Sequence, residues 1–336
     1  MVMGLSSKVY NFYLSTVPVR NVQLSVIGAA SDIGSKLALL LKKNDKITKL
    51  NIYDYDSKIH GLAIELNQIP GGPTVSSYDG EKDLPAAITQ SNLILMVART
   101  HPTKGVTSST MLQANAPAVQ KLCKAISENN PDAFLAISTN PINSMMPFAS
   151  AMLYRYNCYN PFKIFGITHI DTARARSYAG KTLQANPRHL QIPVIGGHSE
   201  QTVVPLFSNL TPDFYTLDID QADLLTRLVK KADTEVLNLK GGNESAVVSV
   251  AWSVYEFAEG LVDALWGHEA EVHSFTANPH FGTRFFGGPT IVGPHGIVRT
   301  CSNFQMSNLE CGLLSDAVSV INKDVALGED LCGAYY

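Results

Sequence analysis

Between residues 22 and 138, apolar runs of strand length alternate with longer stretches of helical spacing. "VQLSVIG" (22–28) leads into "DIGSKLALLLKKN" (32–44), and "KLNIYD" (49–54) leads into "SKIHGLAIELNQI" (57–69), which "PGGP" (70–73) stops. "NLILMV" (92–97) and "DAFLAIS" (132–138) flank a third helical stretch, "TMLQANAPAVQKLCKAISEN" (110–129). Strands joined through helices at this rhythm run parallel, because each crossover returns the chain to the same end of the sheet. The pattern predicts an α/β fold, a Rossmann-type doubly wound parallel sheet with helices on both faces. Such sheets take ligands at the carboxyl ends of their strands.

The second half has another rhythm. Helical stretches near 170–184, 219–240 and 244–266 surround a strand-like "LQIPVIGG" (190–197). Turn-rich strands follow near 272–300, and a last helix covers about 306–326. No internal repeat or low-complexity linker separates the halves, so a mixed α+β lobe is expected to pack directly on the sheet. The organisation read from this is an N-terminal extension (1–21), a Rossmann-type sheet domain (22–155) and a second lobe (156–336).

Composition narrows the partners. A net charge of −3 with no basic tract argues against nucleic acid. The most apolar stretch, 246–266, is broken by Ser249, Ser253, Glu256, Glu259 and Asp263, as suits a buried helix and not a membrane span. The five cysteines form no CxxC pair and read as reduced thiols of an intracellular protein. Residues 1–21 hold no acid but carry Lys8 and Arg20. A mitochondrial presequence looks like this, and so does a disordered tail of a cytoplasmic protein.

"VIGAASDIG" (26–34) is laid out as a loop that holds a dinucleotide. Gly28 suits the tight turn after the strand, Gly34 suits close packing of the helix on the sheet, and Asp54 ends the second strand where an acid accepts from ribose hydroxyls. Asp54 alone would equally suit a solvated strand end or a helix cap. Two residues depart from the pattern. Ser31 puts a side chain where a middle glycine lets the backbone approach a pyrophosphate. Asp32 puts negative charge at the helix start that would otherwise favour a phosphate, although an acid there is also an ordinary helix-stabilising residue.

Three further segments, "STNPINS" (138–144), "NPFKIFGITHIDTARA" (160–175) and "PVIGGHS" (193–199), resemble the lactate and malate dehydrogenases, in particular the malate dehydrogenases of the mitochondrial and glyoxysomal type. The resemblance runs from about residue 22 to about 326. It implies NAD as cofactor, a small 2-hydroxy or 2-oxo acid as substrate, and a homodimer in which "GLAIELNQIP" (61–70) is similar to an interface helix. It makes His198 the proton-relay histidine and Asp171 the acid that orients it. Arg174, one helical turn on, becomes the arginine that grips the substrate's C1 carboxylate, and Asn140 a substrate-side asparagine.

The resemblance also marks departures. In the loop "ARTHPTKGVTSSTML" (98–112), Pro102 stands where the family reads a second carboxylate with arginine. Ser108 stands where a second arginine polarises the reacting carbonyl. His101 or Lys104 could partly substitute, or be solvated loop residues. Arg99 replaces a glycine that lies against the cofactor, and Glu200 replaces a glycine two residues after His198. Glu200 repels an anionic substrate if it faces inward and is a plain surface acid if it faces outward. Arg99 either pairs with Asp32 across the cofactor crevice and closes it, or reaches the pyrophosphate itself. Two functions follow: a dehydrogenase slow on malate, or a catalytically weak or inactive relative kept for binding or assembly.

Overall fold

The structure, a computed structural model, describes residues 21–100 and 105–333. Its first part runs β1 (Val22–Ile27), α1 (Asp32–Leu41), β2 (Ile47–Asp54), α2 (Ile59–Asn67), β3 (Thr74–Asp79), α3 (Gly80–Ile88), β4 (Leu93–Met96), α4 (Ser108–Asn129), β5 (Phe134–Ile137), α5 (Ile142–Arg155) and β6 (Ile164–Ile167). These strands lie in the order β3-β2-β1-β4-β5-β6 and all pair in parallel. This is the doubly wound order, with its reversal between β1 and β4.

The second part runs α6 (His169–Leu183), β7 (Val194–Gly196), β8 (Val203–Pro205), α7 (Ile219–Leu239), α8 (Val248–Leu265), β9 (Ala270–Ala277), β10 (Phe285–Gly293), β11 (Gly296–Thr300) and α9 (Asn308–Gly333). Its strands extend the same sheet: β9 adds antiparallel to β6, and β10, β7 and β8 follow, with β11 on β10. The mixed lobe expected from the sequence is therefore continuous with the parallel sheet.

Alternation along the central strands divides the core. Leu93 and Leu95 face the side covered by α1, α2 and α8, while Ile94 and Met96 face the side of α4, α5 and α9. All four are fully buried, and burying each such side chain stabilises the fold by about 1.5–3 kcal/mol. No helix among the described residues is long and apolar enough to cross a membrane, and none of their cysteines is in a disulfide.

Several elements escape a periodicity reading. β3 is a half-exposed edge strand of polar residues, "TVSSYD". α5 buries residues on every side, between the sheet and helices α4 and α9, so it lacks an apolar stripe. β6 is only four residues long and ends directly at α6. The parallel run of the sheet thus continues past residue 155.

Candidate active site

The cofactor loop joins β1 to α1, and its glycines are needed sterically. Gly28 has φ +93°, and a Cβ there would lie 2.4 Å from the backbone nitrogen of Ala98 at the end of β4. A Cβ on Gly34 would lie 2.3 Å from the carbonyl oxygen of Gly28. The loop is anchored to the end of β2: Gly28 N and Ala29 N donate to Tyr53 O, and Ala30 N donates to Asp54 Oδ2 at 2.9 Å.

Ser31 turns its hydroxyl into the turn. It donates to Gly28 O at 2.7 Å and accepts from Gly34 N at 3.1 Å, as the N-cap of α1. The hydroxyl is thus committed to the turn, although it uses one of the helix-start N–H groups that an anion would meet. Asp32 is exposed. The expected pairing of Asp32 with Arg99 does not form, since no ion pair within 4.0 Å joins them. Arg99 instead donates from Nη2 to Ala246 O at 3.3 Å, and Asp32 reaches it only as a distant charge. These residues fit a dinucleotide: Gly28 and Gly34 allow the tight turn to pack against Ala98 and the start of α1, the Ser31 side chain is folded back into that turn, and Asp54 ends β2 where an acid meets a ribose in this fold class.

Beyond the loop, at the carboxyl ends of β4, β5 and β6, lies a cavity of about 200 Å³. Arg99, Asn140, Ile167 and His198 line it from the sheet side, and Met111, Asn115, Asp233, Thr234 and Val250 line it from the helices. His198 arrives on the loop after β7. Gly196 makes the turn at φ +101°, and a Cβ on Gly197 would lie 2.6 Å from Asn143 Oδ1. Asp171 and Arg174 sit three residues apart on α6, on one face of the helix.

His198 Nδ1 and Asp171 Oδ2 are 2.7 Å apart, with Asp171 buried and His198 largely so. Asp171 accepts from Nδ1–H, which leaves Nε2 as the ring nitrogen for a ligand. Burial works against a charged imidazole, but the charge of Asp171 and its hydrogen bond outweigh it. The pKa of His198 is therefore raised from 6.5. Asn143 fixes the loop by accepting from His198 N at 2.8 Å and donating to Thr202 Oγ1 and Asp324 Oδ2.

Arg174 lies beside these groups, with Nη1 3.6 Å from Asp171 Oδ1. Its fork is taken by Asp233 of α7: Nη1 donates to Oδ2 at 3.0 Å and Nη2 donates to Oδ1. The hydrogen bond and charge of Arg174 hold the Asp233 carboxyl below its usual 3.8.

The other expected positions stand apart. Ser108 is the exposed first residue of α4. Glu200 is also exposed and accepts from Thr234 Oγ1 at 3.4 Å, on the rim of the cavity, so it reads as an outward-facing acid. Pro102, with His101 and Lys104, lies outside the described residues. Asn140 does reach the cavity, and its carbonyl accepts from Asn115 Nδ2 at 2.8 Å. Three contributors went unread in the sequence: Asp233, Asn143 and Asn115. Asn143 stands in "STNPINS" and was within reach. Asp233 sits on an ordinary amphipathic helix with nothing local to mark it.

A parallel doubly wound sheet with a glycine-cradled loop and a buried His–Asp pair at its carboxyl edge defines a nucleotide-dependent oxidoreductase class. Comparison with known proteins gives the family. Residues 22–166 match the profile "lactate/malate dehydrogenase, NAD binding domain", and residues 168–331 match "lactate/malate dehydrogenase, alpha/beta C-terminal domain". The chain belongs to the lactate/malate dehydrogenase family of oxidoreductases, and NAD is the cofactor of its first domain. It is 32% identical to the mitochondrial malate dehydrogenase of Homo sapiens over 319 residues, covering 94% of this chain and 93% of the relative. It is 34% identical to the malate dehydrogenase of Edwardsiella ictaluri over 311 residues, covering 92% and 99%. The fold superposes on the malate dehydrogenase of Picrophilus torridus with a TM-score of 0.80 at 19% identity, covering 94% of this chain and 99% of that one.

Proposed function

We propose that the protein moves a hydride between NAD and C2 of a small 2-hydroxy or 2-oxo acid, with malate and oxaloacetate as poor substrates. The observation that carries this reading is the His198–Asp171 pair at 2.7 Å on the wall of the cavity. NAD, when bound, supplies the hydride acceptor in one direction and the donor in the other. His198 takes the hydroxyl proton at Nε2 during oxidation and returns it during reduction. Asp171 holds the ring in place and favours its charged form. Arg174 serves the C1 carboxylate, and Asn140 lies on the substrate side.

Pro102 in place of a carboxylate-reading arginine argues against a dicarboxylic substrate. Ser108 in place of a carbonyl-polarising arginine removes a donor of a kind typically worth about 10²–10³ in rate. A second reading, a weak or inactive relative with a binding or structural role, is favoured by one observation, the engagement of Arg174 by Asp233. The test is NADH oxidation with a panel of 2-oxo acids. Turnover of monocarboxylic acids ahead of oxaloacetate, lost in His198→Asn, supports the dehydrogenase. Tight NADH binding without turnover of any acid supports the second reading.

Homodimer formation through α2 belongs to the same proposal, supported by Ile64 at 64% exposure on that helix. Sedimentation of the purified protein tests it. A mitochondrial location is supported by the acid-free residues 1–21 and by the mitochondrial relatives. Fusion of that segment to a reporter distinguishes it from a cytoplasmic one.

A further inference from the structure

We infer that Asp233 is an internal carboxylate seated on Arg174 in the place of the substrate's C1 carboxylate, so that a 2-oxo acid binds only by displacing it. The inference rests on the reading of Arg174 as the carboxylate-binding arginine. Both nitrogens of the Arg174 fork donate to both oxygens of Asp233, which is the two-bond geometry a substrate carboxylate would use.

The surroundings explain why the seat is filled. Arg174 is 10% exposed, and a buried guanidinium without acceptors is costly. Its other carboxylate, Asp171, is 3.6 Å away and already accepts from His198. Asp233 supplies the missing acceptors.

The two partners are not equally fixed. Arg174 is held on α6 in the core of the lobe, whereas Asp233 on α7 is 52% exposed at the cavity. Asp233 can therefore swing away while Arg174 stays. Arg99 faces the same cavity and attracts Asp233 through space, which gives the displaced carboxylate a second cation to move toward.

A tethered carboxylate competes with free substrate at high effective concentration. If the pair is closed for about 90–99% of the time, the apparent dissociation constant of a 2-oxo acid rises about 10–100-fold. Asp233 thus sets substrate affinity without taking part in the chemistry.

The test is calorimetric titration of oxamate, an unreactive 2-oxo acid analogue, into the wild type, Asp233→Asn and Asp233→Ala. It is run with and without NADH. The expected result is binding at least about 10-fold tighter in both variants, with a larger thermal stabilisation by oxamate than in the wild type. The gain should vanish in Asp233→Asn combined with Arg174→Gln. Unchanged or weaker oxamate binding in two folded variants, with and without cofactor, would overturn the inference. A purely structural role for Asp233 would lower melting temperature with no gain in affinity, and this also overturns it. NADH affinity, measured separately on the same proteins, speaks to the dehydrogenase reading alone: its absence in all of them would sink that reading while the cofactor-free oxamate shift still decides the role of Asp233.

Discussion

Asp171 binds His198 through one oxygen, Oδ2 at 2.7 Å from Nδ1, and faces Arg174 with the other, Oδ1 at 3.6 Å from Nη1. One carboxylate therefore couples the residue that carries a proton to the residue that carries a fixed charge. Replacing it by asparagine removes the two largest causes that raise the His198 pKa and leaves only the charge of Asp233 against burial and the charge of Arg174, which lower it. Asp171→Asn should bring the imidazole below the ordinary value of about 6.5, read by NMR of the ring protons. Turnover should fall by about 10²–10⁴.

The raised pKa of His198 fixes the sign of two pH effects. The folded-state pKa lies above the unfolded one, so the contribution to stability is full below about pH 6.5. It is lost as pH rises through the folded value. Melting temperature should fall across that window in the wild type and fall less in His198→Asn. Oxidation of a hydroxy acid needs the neutral ring and should speed up as pH rises through the same value. Reduction needs the charged ring and should slow.

Gly28 has a left-handed backbone and no room for a methyl group, with Ala98 N 2.4 Å from the Cβ position. The conformational strain of Gly28→Ala is about 1–2 kcal/mol, and crowding against the backbone adds about 1–3 kcal/mol. The variant should melt at a lower temperature and lose NADH affinity together if the displaced loop is the cofactor loop proposed above. Loss of stability with NADH affinity intact would place the cofactor elsewhere.

Asn143 holds the His198 backbone, Thr202 and Asp324. Asn143→Ala leaves the partly buried His198 N–H and Asp324 Oδ2 without this partner, at a cost of up to about 1–3 kcal/mol each, while Thr202 keeps Ser199. The variant should unfold at lower denaturant. Burial already raises the pKa of Asp324, and Asn143 opposes the rise. Removing Asn143 should raise it further, observable by carboxyl NMR.

How much of this the sequence carried depends on how local each signal is. The strands β1, β2, β4 and β5 were legible because a strand buried on both faces shows as an unbroken apolar run, and their helices because each has one solvated face. β3 and α5 were not, since an edge strand is polar and a fully enclosed helix has no stripe. His198, Asp171 and Arg174 were readable through their motifs, but the state of Arg174 was not. Its partner is 59 residues away on α7, and only the packing of α6 against α7 brings the two together. The pairing expected between Asp32 and Arg99 failed for a related reason. Position in a shared crevice says nothing about which way a long side chain turns, and Arg99 turns to Ala246.

On the proposed reading the loop from Gly28 to Gly34 serves NAD, with Ser31 turned into its own cap and Asp32 turned to solvent. Fluorescence titration of the purified protein with NADH tests it most directly. Saturable binding in the micromolar range, weakened in Asp54→Ala, is the predicted result. No binding up to millimolar NADH would contradict it.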